Sequence, residues 1–154
     1  MNETTHISHQ SPLLRDRADF IVQIAVADEV DTFEQLWVRR LSSDLLEICC
    51  VPFFLYDISL LDVVRWDAVQ NSITVEKPSG RYVFRVRFSP ELEQGEWVAK
   101  LASLGAGVER SSPSMIALDS ENVQVAQRLA DLLAKGESTG APEYETGRST
   151  QSDS

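Results

Sequence analysis

The stretch Arg81–Ala99, RYVFRVRFSPELEQGEWVA, changes its hydrophobic period at Phe88 and decides the fold class. Up to Phe88, every second residue is aromatic or valine, a period of two that predicts a β-strand. After it, Ser89 is a good N-cap and Pro90 suits the first position of a helix. We therefore expect a strand followed at once by a helix, whose apolar face is formed by Leu92, Trp97, Leu101 and Leu104.

Upstream of this stretch, short runs of apolar residues separated by polar turns predict strands rather than helices. The last of them, 72–76, is expected to form a hairpin with 81–88 around the turn 77–80, which contains Pro78 and Gly80. The other predicted strands are Phe20–Val26, Gln35–Leu41, Leu45–Val51 and Asp62–Asp67.

Downstream, a strand over 108–118 is interrupted by the polar residues 111–114. Asp119 or Ser120 is then expected to cap a second helix that ends at Gly136. The order of elements predicts an α+β fold with a strongly curved antiparallel sheet or small barrel, followed by a strand-helix-strand-helix unit with two main helices. These last four elements resemble half of a ferredoxin-like unit.

The polar ends of the chain are expected to lie outside the folded domain. Residues 1–17 show little periodicity and predict a flexible N-terminal arm. Residues 137–154 are rich in Gly, Ser, Thr, Glu and Pro, a composition typical of a flexible tail. The sequence thus predicts a single α+β domain over 18–136.

The net charge of −10 excludes some classes of partner. Binding to nucleic acids or to anionic membranes requires clustered Lys and Arg, and the main basic cluster lies in one predicted strand at Arg81, Arg85 and Arg87. No apolar run is long enough to span a membrane, and the N-terminus lacks the apolar stretch of a signal peptide. We therefore expect a cytoplasmic protein with no nucleic-acid or membrane partner.

The sequence offers no familiar catalytic set. The two histidines, His6 and His9, fall in the predicted arm, where neither is held against a nucleophile. Cys49 and Cys50 are adjacent and are interpreted as small core residues, and no His or Cys pair has the spacing of a common zinc site. We expect no enzyme activity, no metal and no cofactor.

Several short motifs resemble a bacterial family, the domain of unknown function 4265 family. The most specific are Val51-Pro52-Phe53-Phe54 and Asp62-Val63-Val64, which occur in the family's order, and the resemblance covers about residues 33–136. A histidine often follows the glycine of the Ser79-Gly80 motif in that family, whereas this chain has Arg81. The resemblance implies a bacterial cytosolic domain and brings no established activity. Weaker matches are Leu36 to Arg39, Tyr56, Ser59, Arg85-Val86, Leu104-Gly105 and Ala117-Leu118-Asp119.

Two hypotheses of function follow. The first is an immunity protein that binds a cognate bacterial toxin and masks its active site with an acidic surface, because an acidic surface steers and accelerates the approach of a basic partner. The predicted contacts are Asp28, Glu29, Asp31, Glu91, Glu93 and Glu96. The alternative is a small-molecule or anion-binding enzyme or sensor domain, with Asp62, Arg85 and Arg87 lining one cleft.

Overall fold

Two sheets and two α-helices make up the computed structural model, which describes residues 3–27, 29–138 and 142–148. The fold class is α+β, as predicted. The first half of the chain supplies β1 (Thr5–Ile7), β2 (Phe20–Ala25), β3 (Thr32–Arg40), β4 (Leu45–Ile48), β5 (Val63–Asp67) and β6 (Ser72–Lys77). The second half supplies β7 (Tyr82–Arg87), α1 (Gln94–Ser103), β8 (Gly107–Ser112), β9 (Met115–Ser120), α2 (Val123–Ser138) and β10 (Glu143–Thr146).

The first sheet is built around β3, which pairs with β1 in parallel and with β2 and β4 antiparallel. The ladder continues from β4 through β5 to β6. Alternate residues of β3, such as Leu36 and Val38, are fully buried in a core with residues of β2, β4 and β5. Among the described strands the sheet does not close on itself, so the expected strongly curved sheet or small barrel is not confirmed.

The second sheet has the strand order β10-β7-β9-β8, and all of its pairs are antiparallel. Together with α1 and α2, this is the β-α-β-β-α-β arrangement of a ferredoxin-like unit. The sequence predicted half of such a unit, and β10 completes it. The helices cover one face of the sheet because Leu101, Leu129 and Leu133 pack against Phe84, Val86, Ile116 and Leu118 of β7 and β9.

The predicted hairpin between 72–76 and 81–88 is wrong, although both strands exist. β6 pairs with β5, and β7 pairs with β9 and β10, so the predicted partners belong to different sheets. The hairpin that forms is β5–β6, whose turn is fixed by the Asp67 carboxylate accepting hydrogen bonds from the backbone N–H groups of Val69 and Gln70. Alternation identifies a strand but does not identify its partner.

Both helices begin later than the sequence predicted. Glu93, rather than Ser89, caps α1, and its carboxylate accepts a hydrogen bond from the Gly95 N–H. At α2 the cap is Asn122, whose side-chain oxygen accepts from the Val125 N–H, while Asp119 and Ser120 end strand β9. α2 also continues past Gly136 to Ser138.

Strands from the predicted flexible ends take part in both sheets. β1 lies in the expected N-terminal arm, and β10 lies in the expected tail. The domain therefore uses residues outside the predicted range 18–136, because these short polar strands gain their stability from backbone pairing with β3 and β7. In the described part of the chain, no helix is long and apolar enough to cross a membrane.

Candidate functional site

The face of the second sheet that is not covered by helices packs against the first half of the chain. Val83, Met115 and Ala117 on this face bury their side chains against Val51 and Phe53, which follow β4. Four ionisable side chains are also buried at this junction of the two sheets: His9, Glu34, Arg85 and Glu109. Burial of so many charges in one place requires close pairing among them.

His9 lies between two buried carboxylates. Its Nε2 is 2.7 Å from Oε2 of Glu34 on β3, and its Nδ1 is 2.8 Å from Oε1 of Glu109 on β8. Its ring also stacks on Phe53, with the ring centroids 3.9 Å apart. The His9 side chain thus joins the N-terminal segment to both sheets.

The geometry suits a protonated imidazole, because both ring nitrogens can donate to carboxylates only in the imidazolium form. Burial alone would lower the pKa of His9, but contacts with Cys50, Glu109 and Glu34 raise it to about 12. The ring therefore carries a positive charge at neutral pH and offsets one of the two buried carboxylates.

The same carboxylates organise the chain that follows β4. Glu34 accepts hydrogen bonds from the backbone N–H groups of Phe53, Phe54 and Leu55, at 2.7, 2.9 and 3.2 Å. Glu109 accepts from the N–H of Val51 at 2.6 Å, and from that of Leu13. Residues 51–55, which we call the central loop, are thereby held by charge-assisted hydrogen bonds to two different sheets.

The sequence placed His9 in a flexible arm, and the structure corrects that interpretation. The arm is fixed because His9 supplies the cation that two buried carboxylates need. Its partners are 25 and 100 residues away along the chain, so no local pattern identifies it. His6, by contrast, is exposed on β1, where its ring stacks on Phe33.

Arg85 lies on β7 and reaches the other side of the central loop. Its Nη2 donates to the carbonyl oxygens of Leu55 and Pro52. The Tyr56 ring covers the guanidinium, 4.8 Å from centroid to Cζ. Burial lowers the pKa of Arg85, although the charges of Glu34 and Glu145 act against that effect. The central loop therefore links the His9 network to the buried guanidinium of Arg85.

A groove of about 360 Å³ opens beside Arg85. Its lining residues come from the β2–β3 turn, the central loop with the following Tyr56, and strands β7, β9 and β10: Glu29, Phe54, Tyr56, Arg85, Val86, Arg87, Met115, Glu143, Tyr144 and Glu145. Cross-strand pairing places Glu145 opposite Arg85 and Glu143 opposite Arg87. We call this surface the β7 groove.

The structure separates the three residues of the predicted cleft. Arg85 and Arg87 line the β7 groove, whereas Asp62 lines a different cavity of about 560 Å³ with Arg81 and Gly80. Asp62 is buried, and its carboxylate accepts hydrogen bonds from the backbone N–H groups of Ser59 and Ser79. It therefore shapes two turns and does not join the arginines.

The predicted acidic contacts are exposed where the structure describes them. Glu29 reaches the β7 groove, and Asp31 is exposed in the same β2–β3 turn. Glu91, Glu93 and Glu96 are exposed between the end of β7 and the first turn of α1, and the Glu93 carboxylate is used as the helix cap. Asp28 lies outside the described residues. The sequence missed Glu143 and Glu145, because they fall in the expected tail.

The two cysteines are buried and free, as expected for core residues. Burial raises the pKa of Cys50 above its usual value, and that of Cys49 to about 11. Both are therefore neutral thiols at neutral pH and poor nucleophiles. Within the described residues, no group of three or more His, Cys, Asp or Glu side chains is arranged to hold a metal ion.

The comparisons with known proteins concern the family and the fold. The family model described as "Domain of unknown function (DUF4265)" matches residues 34–144, and no curated protein matches the chain. A solved structure described as "Novel crystal structure of a hypothetical protein from Neisseria gonorrhoeae" superposes with a TM-score of 0.69. The alignment covers 83% of this chain and 92% of that chain at 13% identity, so it shows a shared fold alone.

Proposed function

The chain belongs to the DUF4265 family, and we propose that it acts as an immunity protein that binds a cognate bacterial toxin in the cytoplasm. In this proposal it works by binding and has no catalytic role. The toxin presents a basic face around its active site, and this chain covers that face with the β7 groove and the carboxylates around it.

The composition of the β7 groove supports this proposal. Phe54, Tyr56, Arg87 and Met115 line it, and aromatic, Met and Arg residues are the types enriched at the centres of protein interfaces. Exposed carboxylates, including Glu29 and Glu143, lie beside them. An anchor-rich centre with a charged rim is the usual anatomy of a specific protein-binding surface.

Charge supports the same conclusion. The chain carries a net charge of −10. Exposed carboxylates of the β2–β3 turn and β10 line the groove. Those at the start of α1 follow the end of β7 along the chain. Such a surface attracts a basic partner over roughly one Debye length, about 10 Å at moderate salt. A tight inhibitor complex buries roughly 800 Å² on each partner, so the interface extends beyond the groove to Glu91 and Glu96.

The test is suppression of toxicity. Proteins that co-purify with the tagged chain from the organism that encodes it are expressed one at a time in a naive host, with and without this chain. The proposal expects one partner that is lethal alone and harmless when the chain is present. The double variant Glu29→Gln/Glu143→Gln weakens protection, because it removes two carboxylates from the groove.

A matched control removes the same charge elsewhere. Glu121 and Asp131 are exposed near the start of α2 and on its surface, so Glu121→Gln/Asp131→Asn lowers the negative charge equally and leaves the groove intact. Equal protection by the two double variants would show that the groove is not the contact surface. If no co-purifying protein is lethal, the immunity proposal fails.

A further inference from the structure

Arg85 has an unusual deficit of hydrogen bonds. The residue is only 3% exposed. Within the described part of the chain, its Nε and Nη1 have no hydrogen-bond partner. Buried guanidinium groups normally have their donors satisfied, because an unpaired donor loses its water without compensation.

Glu145 holds one of these two donors incompletely. One oxygen of Glu145 lies 3.7 Å from Nη1, which is an ion pair but too long for a hydrogen bond. That carboxylate accepts hydrogen bonds from the Tyr56 hydroxyl at 3.0 and 3.1 Å. Glu145 and Tyr56 are 52% and 44% exposed, so both can rotate towards solvent without disturbing the core.

We propose that the β7 groove binds a small monocarboxylate with an apolar body, and that its carboxylate accepts a hydrogen bond from Nη1 of Arg85. The ligand carboxylate takes the position near Nη1 that Glu145 occupies, and Glu145 turns outward with Tyr56. This inference rests on Arg85 and stands apart from the immunity proposal, because the toxin is not needed for it.

The rest of the groove defines the ligand class. Its volume of about 360 Å³ is within the range of small-molecule sites, roughly 300–1,000 Å³. Phe54 and Met115 supply apolar wall, and Arg87 adds a second positive charge. Glu29 and Glu143 stand at the same groove and repel additional negative charge. A single carboxylate on an apolar body therefore fits better than a phosphate or a dicarboxylate.

The experiment titrates the full chain separately with phenylacetate, acetate, succinate and inorganic phosphate. The readout is the chemical shift of the Arg85 Nε–H in NMR spectra. The Arg85→Lys variant, which keeps the charge and lacks this N–H, assigns the signal. We expect phenylacetate to shift the signal with 1:1 saturation and a dissociation constant of about 1 mM or lower. Acetate, succinate and phosphate should bind at least roughly fivefold more weakly.

Two variants on one strand test the displacement of Glu145. Glu145→Gln removes the competing carboxylate and should tighten phenylacetate binding roughly fivefold, the scale of a partly exposed ion pair. Glu143→Gln removes the same charge opposite Arg87. It lies farther from the bound carboxylate, so it should tighten phenylacetate binding by less than roughly twofold.

Three results would overturn the proposal. They are an Arg85 signal that does not move with phenylacetate, a shift that grows linearly without saturating, and equal effects of the two glutamate variants. If Arg85→Lys does not fold, the wild-type titration still decides, because the signal can be assigned through the neighbouring backbone. The two proposals can fail separately. If phenylacetate binds but the chain does not protect against a toxin, only the immunity proposal fails. If the chain protects but phenylacetate does not bind, only this inference fails.

Discussion

At the residue scale, the account depends on His9, whose ring bonds to Glu34 of the first sheet and Glu109 of the second. Each carboxylate also holds backbone N–H groups of the central loop. One side chain therefore positions the N-terminal segment, the junction between the sheets and the central loop, which Tyr56 directly follows.

Replacing His9 with glutamine should destabilise the protein strongly. Glu34 and Glu109 would remain buried without their shared cation, and removing one partner of a buried ion pair costs about 3–5 kcal/mol. Urea unfolding followed by tryptophan fluorescence measures this loss. His6→Gln is the matched control, since His6 is exposed and should change the free energy of unfolding by less than about 0.5 kcal/mol. Equal effects of the two variants would contradict the assignment of His9.

The charge on His9 also predicts a pH dependence. Its pKa is about 12 in the folded protein and 6.5 ordinarily, so between these values the folded state keeps a proton that the unfolded state has released. The stabilisation is complete below pH 6.5 and is lost as the pH rises towards 12, by at most ~1.4 kcal/mol per pH unit. The neighbouring titratable groups are Glu34, Glu109 and Cys50.

The measurement is the difference in unfolding free energy between wild type and His9→Gln at about pH 7 and about pH 9. The difference should shrink at the higher pH. Burial raises the pKa of the two cysteines, and His9 acts against this effect at Cys50, so removing His9 does not make the Cys50 thiol titrate at a lower pH. A difference that stays constant or grows would show that His9 is not charged in the folded protein.

Single residues were the least predictable part of this protein. The sequence identified Arg85 and Arg87 as candidates, because charged residues in an apolar strand are conspicuous, and both line one groove. It grouped Asp62 with them, although sequence proximity to an apolar run says nothing about which cavity a side chain enters. His9 and Glu145 were missed because polar terminal segments give no periodic signal until a distant partner fixes them.

At the scale of elements, periodicity located strands β2 to β7 and both helices, but it merged β8 and β9 into one interrupted strand, missed β1 and β10, and did not identify strand partners. The period-two pattern of β7 was read correctly, and its supposed hairpin partner β6 lies in the other sheet. The predicted helix starts were also too early, because the sequence offers several suitable N-cap residues near each start. The caps that the structure uses are Glu93 and Asn122. Strand pairing and caps both depend on contacts beyond the local sequence.

At this scale we predict how replacing two helical glycines with alanine changes the stability of the protein. A Cβ at Gly136 of α2 would lie 2.3 Å from Cη2 of Trp97 on α1, whereas a Cβ at Gly95 would meet only the flexible end of Glu93 at 3.1 Å. Gly136→Ala should therefore destabilise the protein by about 1–3 kcal/mol through overpacking. Gly95→Ala should be neutral or stabilising by up to about 1 kcal/mol. Thermal unfolding of both variants gives the comparison, and a stabilised Gly136→Ala would disprove the close helix contact.

At the scale of the whole molecule, the chain joins a six-stranded sheet to a ferredoxin-like unit through a junction that combines a buried ionic network with apolar packing. The α+β class followed from the sequence, because the change of period at Phe88 separates strands from helices. The junction did not, since it forms from segments that lie 25 and 100 residues apart along the chain. The β7 groove lies beside this junction, so the network that joins the sheets also fixes the groove's central loop.

The central claim is that the acidic β7 groove recognises a basic toxin, and the association rate of the purified pair tests it most directly. Stopped-flow measurements at about 50 mM and about 500 mM salt should show at least a roughly tenfold slower wild-type association at high salt. Glu29→Gln/Glu143→Gln should associate more slowly at low salt and lose much of this dependence, while Glu121→Gln/Asp131→Asn keeps it. If the groove variant and the control variant give the same rates at both salt concentrations, the groove is not the recognition surface.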